Sequence, residues 1–356
     1  MSVRAAALHP PGSLHASAVT VAVCTRDRPD QLERLLQSLM RQTFQPRATL
    51  VVDNAPSTHA TEQLVRRFPG VRYVHEAIPG LDFARNRALR ESDSEVVAYV
   101  DDDAVVAEDW VESMIDVFAE SPAIGVCTGK VDALTMSTEG ARLFEASGGF
   151  GRGDCRLHLP PGAGARPPGL PKPLAAWAFS VGVGVSLAVR RQFALELGGF
   201  DEALDMGAVL PGGGDSDMLW RMLEAGHQVV YEPRVRAWHE HRADRRGAEQ
   251  QILGHGRATV ATLTKFVAVA PWRRKPPAAA FLAWRLAKPV VRLVRRLFGR
   301  DPLPASLLAR LVVDCWRGLL AYPQALRLAA SRRREFSPVD VASQPGPPSR
   351  GIPEES

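Results

Sequence analysis

Three carboxylates in a row, Asp101-Asp102-Asp103, close a short apolar run, Val96-Val97-Ala98-Tyr99-Val100. The run reads as a strand. Carboxylates packed this tightly repel one another, and a cation among them relieves the repulsion. Asp101 and Asp103 lie two apart, so at an extended strand end they point the same way. Oxygen ligands of this kind suit magnesium or manganese, which complete their shells with water and phosphate oxygens. A solvated acidic loop would account for the same residues without chemistry, so the triplet has to be read with the rest of the chain. A second acidic pair, Asp215 and Asp217, follows Gly212-Gly213-Gly214 and precedes a helical stretch over 218–225. Helix capping accounts for one of these two acids, not for both. Trp238-His239-Glu240-His241-Arg242 follows a strand over 228–231 and a turn at Pro233. His239 and His241 are also two apart and can face one way. A zinc site would need further ligands, and the nearest cysteine is distant.

For these groups to meet, the chain must bring them to one edge. Residues 19–24 read as a buried strand, bounded by Thr25-Arg26-Asp27-Arg28-Pro29. Asp30 is placed to cap a helix running to about Met40, with Leu32, Leu35, Leu36 and Leu39 on one face. A strand over 48–52 ends at Asp53-Asn54. A helix over 61–68, a strand over 71–74 and a helix over 83–90 lead to the acidic triplet, and a helix over 110–119 follows it. This alternation predicts an α/β fold, a mostly parallel sheet with helices on both faces. Ligands of such sheets bind at the carboxyl ends of the strands, which puts Asp53 and Asp101 on one rim. Residues 137–173, rich in Gly and Pro, predict a mobile loop. The weakly charged stretch 173–189 fits a buried strand region better than a membrane span.

The chain has 356 residues, 46% of them hydrophobic, enough for one large domain or two. Its four cysteines are far apart, which favours a reducing compartment and argues against a disulfide scaffold. Residues 1–17 lack an apolar stretch of signal-peptide length and read as a flexible tail. The net charge is +5, unevenly spread: residues 272–334 hold 15 Lys or Arg against 2 Asp. Such asymmetry points to an anionic surface partner. A dinucleotide-dependent dehydrogenase is disfavoured, because no G-x-G-x-x-G follows the first strand.

Six ordered motifs carry a family resemblance: Cys24-Thr25-Arg26 with Arg28-Pro29; Val51-Val52-Asp53-Asn54; Gly80-Leu81-Asp82-Phe83-Ala84-Arg85-Asn86; Asp101-Asp102-Asp103; Leu197-Gly198-Gly199-Phe200-Asp201-Glu202; and Gly213-Gly214-Asp215-Ser216-Asp217 with Arg221. Over about residues 19–242 the chain resembles the inverting glycosyltransferases of family 2, with the Rossmann-like GT-A fold. The resemblance implies a metal-dependent transfer of sugar from a nucleotide-sugar donor by single displacement. It implies donor binding by Thr25, Arg28, Asp53, Arg85, Asp101 and Asp102. It places a divalent cation, Mn2+ or Mg2+, on Asp103 and Asp101, with His239 beside them. It makes Asp215 the general base, with Asp217 the alternative, although Gly214 stands where the family carries Glu. Ser186 stands where the family often has Asn.

The last hundred residues leave the family's common core. Residues 281–298 place Arg285, Lys288, Arg292, Arg295 and Arg296 on one arc of a helix that Pro289 should kink or split, with Leu and Val on most of the rest. This amphipathic segment predicts either a helical cap on the catalytic domain or an anchor on an anionic membrane surface, with Trp272, Trp284 and Trp316 at the interface. The organisation expected is a tail over 1–17, a catalytic domain over 18–250, a basic helical extension over 251–336 and a disordered tail over 337–356. The expected location is cytoplasmic, either free or peripheral at the inner face of the cell membrane, with no nucleic-acid partner. The acceptor, whether lipid, polysaccharide, peptide or small molecule, is open. The alternatives are a nucleotidyltransferase of sugar-nucleotide synthesis and a non-catalytic sugar-nucleotide or polyanion-binding protein.

Overall fold

A computed structural model describes residues 18–159 and 174–336. The tails expected at 1–17 and 337–356, and most of the Gly/Pro-rich run up to Pro173, lie outside the described residues. The first half of the chain alternates as its hydrophobic pattern requires: β1 (Val19–Thr25), α1 (Pro29–Leu39), β2 (Ala48–Asn54), α2 (Ala60–Val65), β3 (Val71–Glu76), α3 (Leu81–Glu91), β4 (Val96–Asp101), β5 (Ala104–Val106) and α4 (Trp110–Glu120). Then come β6 (Ile124–Ala133), α5 (Glu139–Ser147), β7 (Leu157–Leu159), α6 (Leu174–Ala178), β8 (Ser186–Arg190), α7 (Arg191–Glu196), α8 (Gly214–Glu224) and β9 (Gln228–His239). Three long helices follow, α9 (Arg245–Val269), α10 (Lys275–Leu297) and α11 (Ala305–Phe336).

The strands form one nine-stranded sheet in the order β3-β2-β1-β4-β8-β6-β9-β5, with β7 added beside β9. β3, β2, β1 and β4 run parallel, as do β6 and β9, while β8, β5 and β7 run against their neighbours. Side chains alternate across the sheet. Val19, Val21 and Val23 of β1 pack with the leucines of α1 and with Trp110, Met114 and Phe118 of α4. Ala22, Val97 and Tyr99 face the other way, onto Ala84, Ala88 and Leu89 of α3 and onto Met218, Leu219 and Met222 of α8. Both faces are therefore covered by helices, and loops are left free only at the strand ends.

Several boundaries differ from expectation, each for a local reason. α1 starts at Pro29, whose fixed φ and missing N–H suit a first helical position, so Asp30 lies in the first turn instead of capping it. The expected loop 137–173 contains α5, because Thr138 Oγ1 accepts the Ala141 N–H at 3.2 Å and Phe144 is buried in an apolar cluster with α9 and α11. Of the stretch 173–189, the described residues hold the short helix α6 and then the buried strand β8. The turn expected at Pro233 is a bulge inside β9: the pairing with β6 jumps from Gly129–Glu232 to Lys130–Arg236. Proline cannot donate to a sheet ladder, so it sits where the ladder is interrupted. α10 continues through Pro289 without splitting.

α9, α10 and α11 pack on one another, with α9 also against α5 and α10 against α6. The boundary expected between residues 250 and 251 falls inside α9. That helix gives Leu263 and Phe266 to the cluster under the sheet, and Ile252, Leu253 and Val260 to a cluster with α11. No helix of the described residues is long and apolar enough to cross a membrane.

Gly129 marks the bulge, and a Cβ there would collide with the Val235 carbonyl oxygen and with Ser186 Oγ. Gly129→Ala is therefore expected to lower stability by about 1–3 kcal/mol, the usual cost of overpacking. A thermal melt reads this as a lower Tm, and an unchanged Tm would contradict the close approach.

Candidate active site

The parallel register of β1, β2 and β4 sets Thr25 beside Asp53 and Cys24 beside Asp101. The strand ends thus share a rim, and the rim opens into a cavity of about 1220 Å³. Every site residue expected from the sequence lines it except Asp53 and Asp217.

Asp101, Asp103 and His239 each bring a ligand atom within 4.8 Å of the others. Asp101 ends β4, Asp103 lies two residues on, and His239 ends β9, which pairs with β5 so that His239 faces Ala104. His239 Nε2 lies 3.1 Å from Asp103 Oδ1. His239 Nδ1 lies 3.0 Å from His241 Nδ1, and His241 Nε2 lies 2.7 Å from Glu145 Oε1. One neutral arrangement satisfies the chain: His241 donates from Nε2 to Glu145, and His239 donates from Nδ1 to His241. Without a cation His239 Nε2 instead donates to Asp103 Oδ1: burial opposes the His239 charge, but this bond outweighs it and raises the imidazole pKa, whereas a cation between the two would take the Nε2 lone pair in the neutral tautomer. Burial, then the Asp103 charge, pushes the Asp101 carboxyl up to about 6. Burial opposes ionisation of Asp103 too, but His239 and Arg28 outweigh it and hold that carboxyl below its usual range. Two carboxylates and an imidazole with this geometry fit a manganese or magnesium ion.

Asp102 points the other way. Its Oδ2 accepts from Thr25 Oγ1 at 2.7 Å and its Oδ1 from Arg28 Nη1 at 3.1 Å, and Arg28 also reaches Asp103 Oδ2 at 3.2 Å. Thr25 and Arg28 are thus joined to the acidic triplet, with Arg28 neutralising two of its members. Asp53 is fully buried, its Oδ2 accepts from Tyr73 at 3.1 Å, and its Oδ1 has no partner. Burial raises its carboxyl above the usual range. Tyr73 and the Thr61 hydroxyl oppose that rise, and the side chain, with no exposed surface, sits behind the cavity wall formed by Thr25 and Asn54.

Asp215 and Asp217 both lie in the first turn of α8, where their charge suits the helix N-terminus. They face opposite ways. Asp215 lines the cavity, with Oδ2 accepting from the Gly184 N–H at 2.7 Å and Oδ1 from the Ser216 N–H at 2.6 Å. Asp217 is fully buried, bonded to Arg221 Nε at 2.7 Å and to Lys265. Gly214, where the resembled family has Glu, has a steric reason: a Cβ at this position would overlap the Asp82 carboxylate. Asp82 pairs with Arg85 at 2.9 Å, and Asp205 approaches the same guanidinium at 3.5 Å. Burial disfavours the charge on Arg85, but Asp82 and Asp205 outweigh it and its pKa rises. Arg85 thus lines the cavity already paired with two acids. Ser186 is buried and accepts from Trp110 Nε1 at 3.0 Å, a packing contact.

Other cavity residues escaped the sequence reading. Asp205 carries no motif signal of its own. Arg152, in the loop after α5, and His255 of α9 lie in stretches read as loop and as extension. Burial lowers His255 to about 4, so it is a neutral imidazole, set against Phe144 and Phe150. The cationic arc of α10 was legible, but its direction was not. Arg285, Lys288 and Arg292 line the cavity, while Trp284, Val290, Val291, Val294 and Leu297 are exposed. The expectation that this arc meets an anionic membrane is therefore corrected: these cations turn inward, and only Arg295 and Arg296 lie on the exposed end.

A family model described as glycosyl transferase family 2 matches residues 20–159. Over 349 residues the chain is 26% identical to a pre-mycofactocin glycosyltransferase of Mycobacterium tuberculosis, covering 93% of this chain and 67% of that relative. A glucosyl-dolichyl phosphate glucuronosyltransferase of Haloferax volcanii is 24% identical over 110 residues, covering 29% of this chain and 35% of that relative. The fold is similar to that of the mannosyltransferase PcManGT from Pyrobaculum calidifontis, solved in complex with GDP-Man and Mn2+. That match has a TM-score of 0.51 at 20% identity, over 93% of this chain and 92% of the other. These likenesses favour a glycosyltransferase over a nucleotidyltransferase or a binding protein without catalysis.

Proposed function

Because the chain belongs to the family 2 glycosyltransferases and has their GT-A fold, we propose that it transfers a sugar from a nucleotide-sugar donor to an acceptor hydroxyl with inversion at the anomeric carbon. The observation that carries the reading is convergence: Asp101, Asp103 and His239 open onto the same cavity as Asp215. The GDP-Man and Mn2+ bound by the mannosyltransferase neighbour support a nucleotide sugar and a divalent cation as ligands here.

In this reading Asp101, Asp103 and His239 would hold a divalent cation, manganese or magnesium, whose charge would neutralise the departing nucleoside diphosphate. Asp53, at the end of β2 beside Thr25, is assigned to the nucleoside side of the donor. Thr25 and Arg28 hold Asp102 and orient the triplet, and Arg28 adds positive charge on the donor side. Arg85, paired with Asp82 and Asp205, shapes the wall beside them. Asp215 is the general base. Two backbone N–H groups hold its carboxylate, and each oxygen keeps a second lone pair for the acceptor proton. As Asp215 takes that proton, the acceptor oxygen attacks the anomeric carbon from the face opposite the leaving group, and one displacement inverts the centre. Asp217, held by Arg221 and Lys265, is assigned a structural role.

A second reading concerns location. Trp272 is 75% exposed, Leu297 74%, and Trp284 and Trp316 over half exposed. Apolar and Trp side chains at a surface suit the lipid interface. We place peripheral attachment, at the inner face of the cell membrane, on this apolar surface and not on the cationic arc.

A panel of nucleotide sugars with manganese tests the activity, because slow donor hydrolysis needs no known acceptor. One donor is expected to be hydrolysed, and hydrolysis should stop in chelator. No turnover of any donor, or full turnover in chelator, would contradict the reading. Asp215→Asn is expected to lower transfer by about 10²–10⁴-fold with the Tm retained. Asp217→Asn is expected to lower the Tm instead, since it leaves Arg221 without a carboxylate and Lys265 with Asp201 alone. The reverse pattern would exchange their roles. In vesicle co-sedimentation, binding should be nearly as strong to neutral as to anionic lipid and should survive added salt. A protein that binds neither, or binds anionic vesicles alone, contradicts the apolar attachment.

A further inference from the structure

Five cations at the cavity wall make no ion pair among the described residues, Arg152, Arg242, Arg285, Lys288 and Arg332, and three of them sit close enough to repel one another: Arg152, Arg285 and Lys288. They come from separate places, Arg152 from the loop after α5, and Arg285 and Lys288 from adjacent turns of α10. Arg152 Nε is buried without a partner, and Nη1 of the same side chain donates to the Gly151 carbonyl at 3.1 Å. Arg285 donates to Thr259 Oγ1 at 3.3 Å. Arg292, one turn further along, is by contrast satisfied: it grips Asp301 with two bonds, at 2.7 and 2.9 Å, and the Ser147 carbonyl at 3.2 Å. Burial pushes the pKa of all three cations down, and the charges of Arg285, Arg292 and Arg152 push Lys288 down further.

Grouped, half-buried cations without a counter-charge are unfavourable in the empty protein. The arrangement becomes favourable when an oxyanion enters, since guanidinium and ammonium groups bind phosphate and carboxylate through charge-assisted hydrogen bonds. The group lies within reach of the proposed base. The charge of Asp215 acts on Arg152 and on His255, and all of them border one cavity. The donor diphosphate already has the metal group and Arg28 to receive it.

We propose that Arg152, Arg285 and Lys288 form an oxyanion subsite for the acceptor, so that the acceptor carries a phosphate or carboxylate group as well as the hydroxyl that Asp215 deprotonates. This inference rests on the assignment of Asp215 and of the donor side given above. It deepens that assignment by naming the chemical class of a substrate that the catalytic motifs leave open.

The test uses the full chain saturated with Mn2+ and with the nucleoside diphosphate of the hydrolysed donor. Calorimetry then follows octyl phosphate, octanoate and the neutral octyl glucoside. The wild-type protein is expected to bind one of the two anions and to hold octyl glucoside more weakly. Which anion binds tells a phosphate acceptor from a carboxylate one. In the double variant Arg285→Gln/Lys288→Gln that affinity should fall roughly tenfold or more, the size of losing charge-assisted hydrogen bonds. The control Arg295→Gln/Arg296→Gln, on the exposed end of the same helix, should keep it. Should the first variant fail to fold, the wild-type protein decides alone: anion binding must weaken with salt while octyl glucoside binding does not. Equal affinity in wild type and variant, or octyl glucoside bound as tightly as the anions, overturns the proposal. So does loss of the nucleoside diphosphate in place of the octyl anion. Absence of donor hydrolysis in the wild type overturns both assignments; hydrolysis with an unchanged anion affinity overturns this one alone.

Discussion

Mutual repulsion among Asp101, Asp102 and Asp103 is the constraint around which the site is organised. Three carboxylates, two half-buried and one buried, close the central strand β4. Left alone they would resist burial. Each neighbour answers that charge. The loop after β1 sends Thr25 and Arg28 to Asp102, and Arg28 onward to Asp103. The end of β9 sends His239 to Asp103, backed by His241 and Glu145. Asp101 remains raised to about 6 by burial and by the Asp103 charge, the shift a bound divalent cation would reverse. Parallel strand order then fixes where this happens, since it brings the ends of β1, β2 and β4 to one rim.

Much of this was legible because strand ends and carboxylates leave local signals. The apolar run before Asp101 and the alternation through α3 located the sheet and its active edge. The spacing of Asp101 and Asp103 predicted a shared direction, which the structure bears out. The relation of Asp215 to Asp217 was not legible. On a helix two positions lie about 200° apart at 3.6 residues per turn, so one acid faces the cavity and the other the core. Extending the helix back to Gly214 would have separated them from sequence alone. Glycine at 214 was readable only as a departure from a family pattern. Its reason, the Asp82 carboxylate beside it, is a long-range contact that no local pattern encodes.

The C-terminal helices show the same limit in another form. Periodicity gave the cationic arc of α10 correctly but was silent on which side meets protein. Packing with α9 and α11 turns Arg285, Lys288 and Arg292 toward the cavity and leaves Val290, Val291, Val294 and Leu297 outside. A helical wheel describes one helix, and its orientation depends on contacts made by distant segments, here Thr259, Ser147 and Asp301.

The central claim is that Asp101, Asp103 and His239 hold a divalent cation against the donor diphosphate. The most direct measurement is electron paramagnetic resonance of Mn2+ titrated into the protein with nucleoside diphosphate, comparing wild type with Asp103→Ala. The account predicts one tight manganese site in the wild type, with coupling to a histidine nitrogen and to phosphorus, and its loss in the variant with the Tm retained. A manganese signal unchanged by Asp103→Ala, or one lacking both couplings, would contradict it.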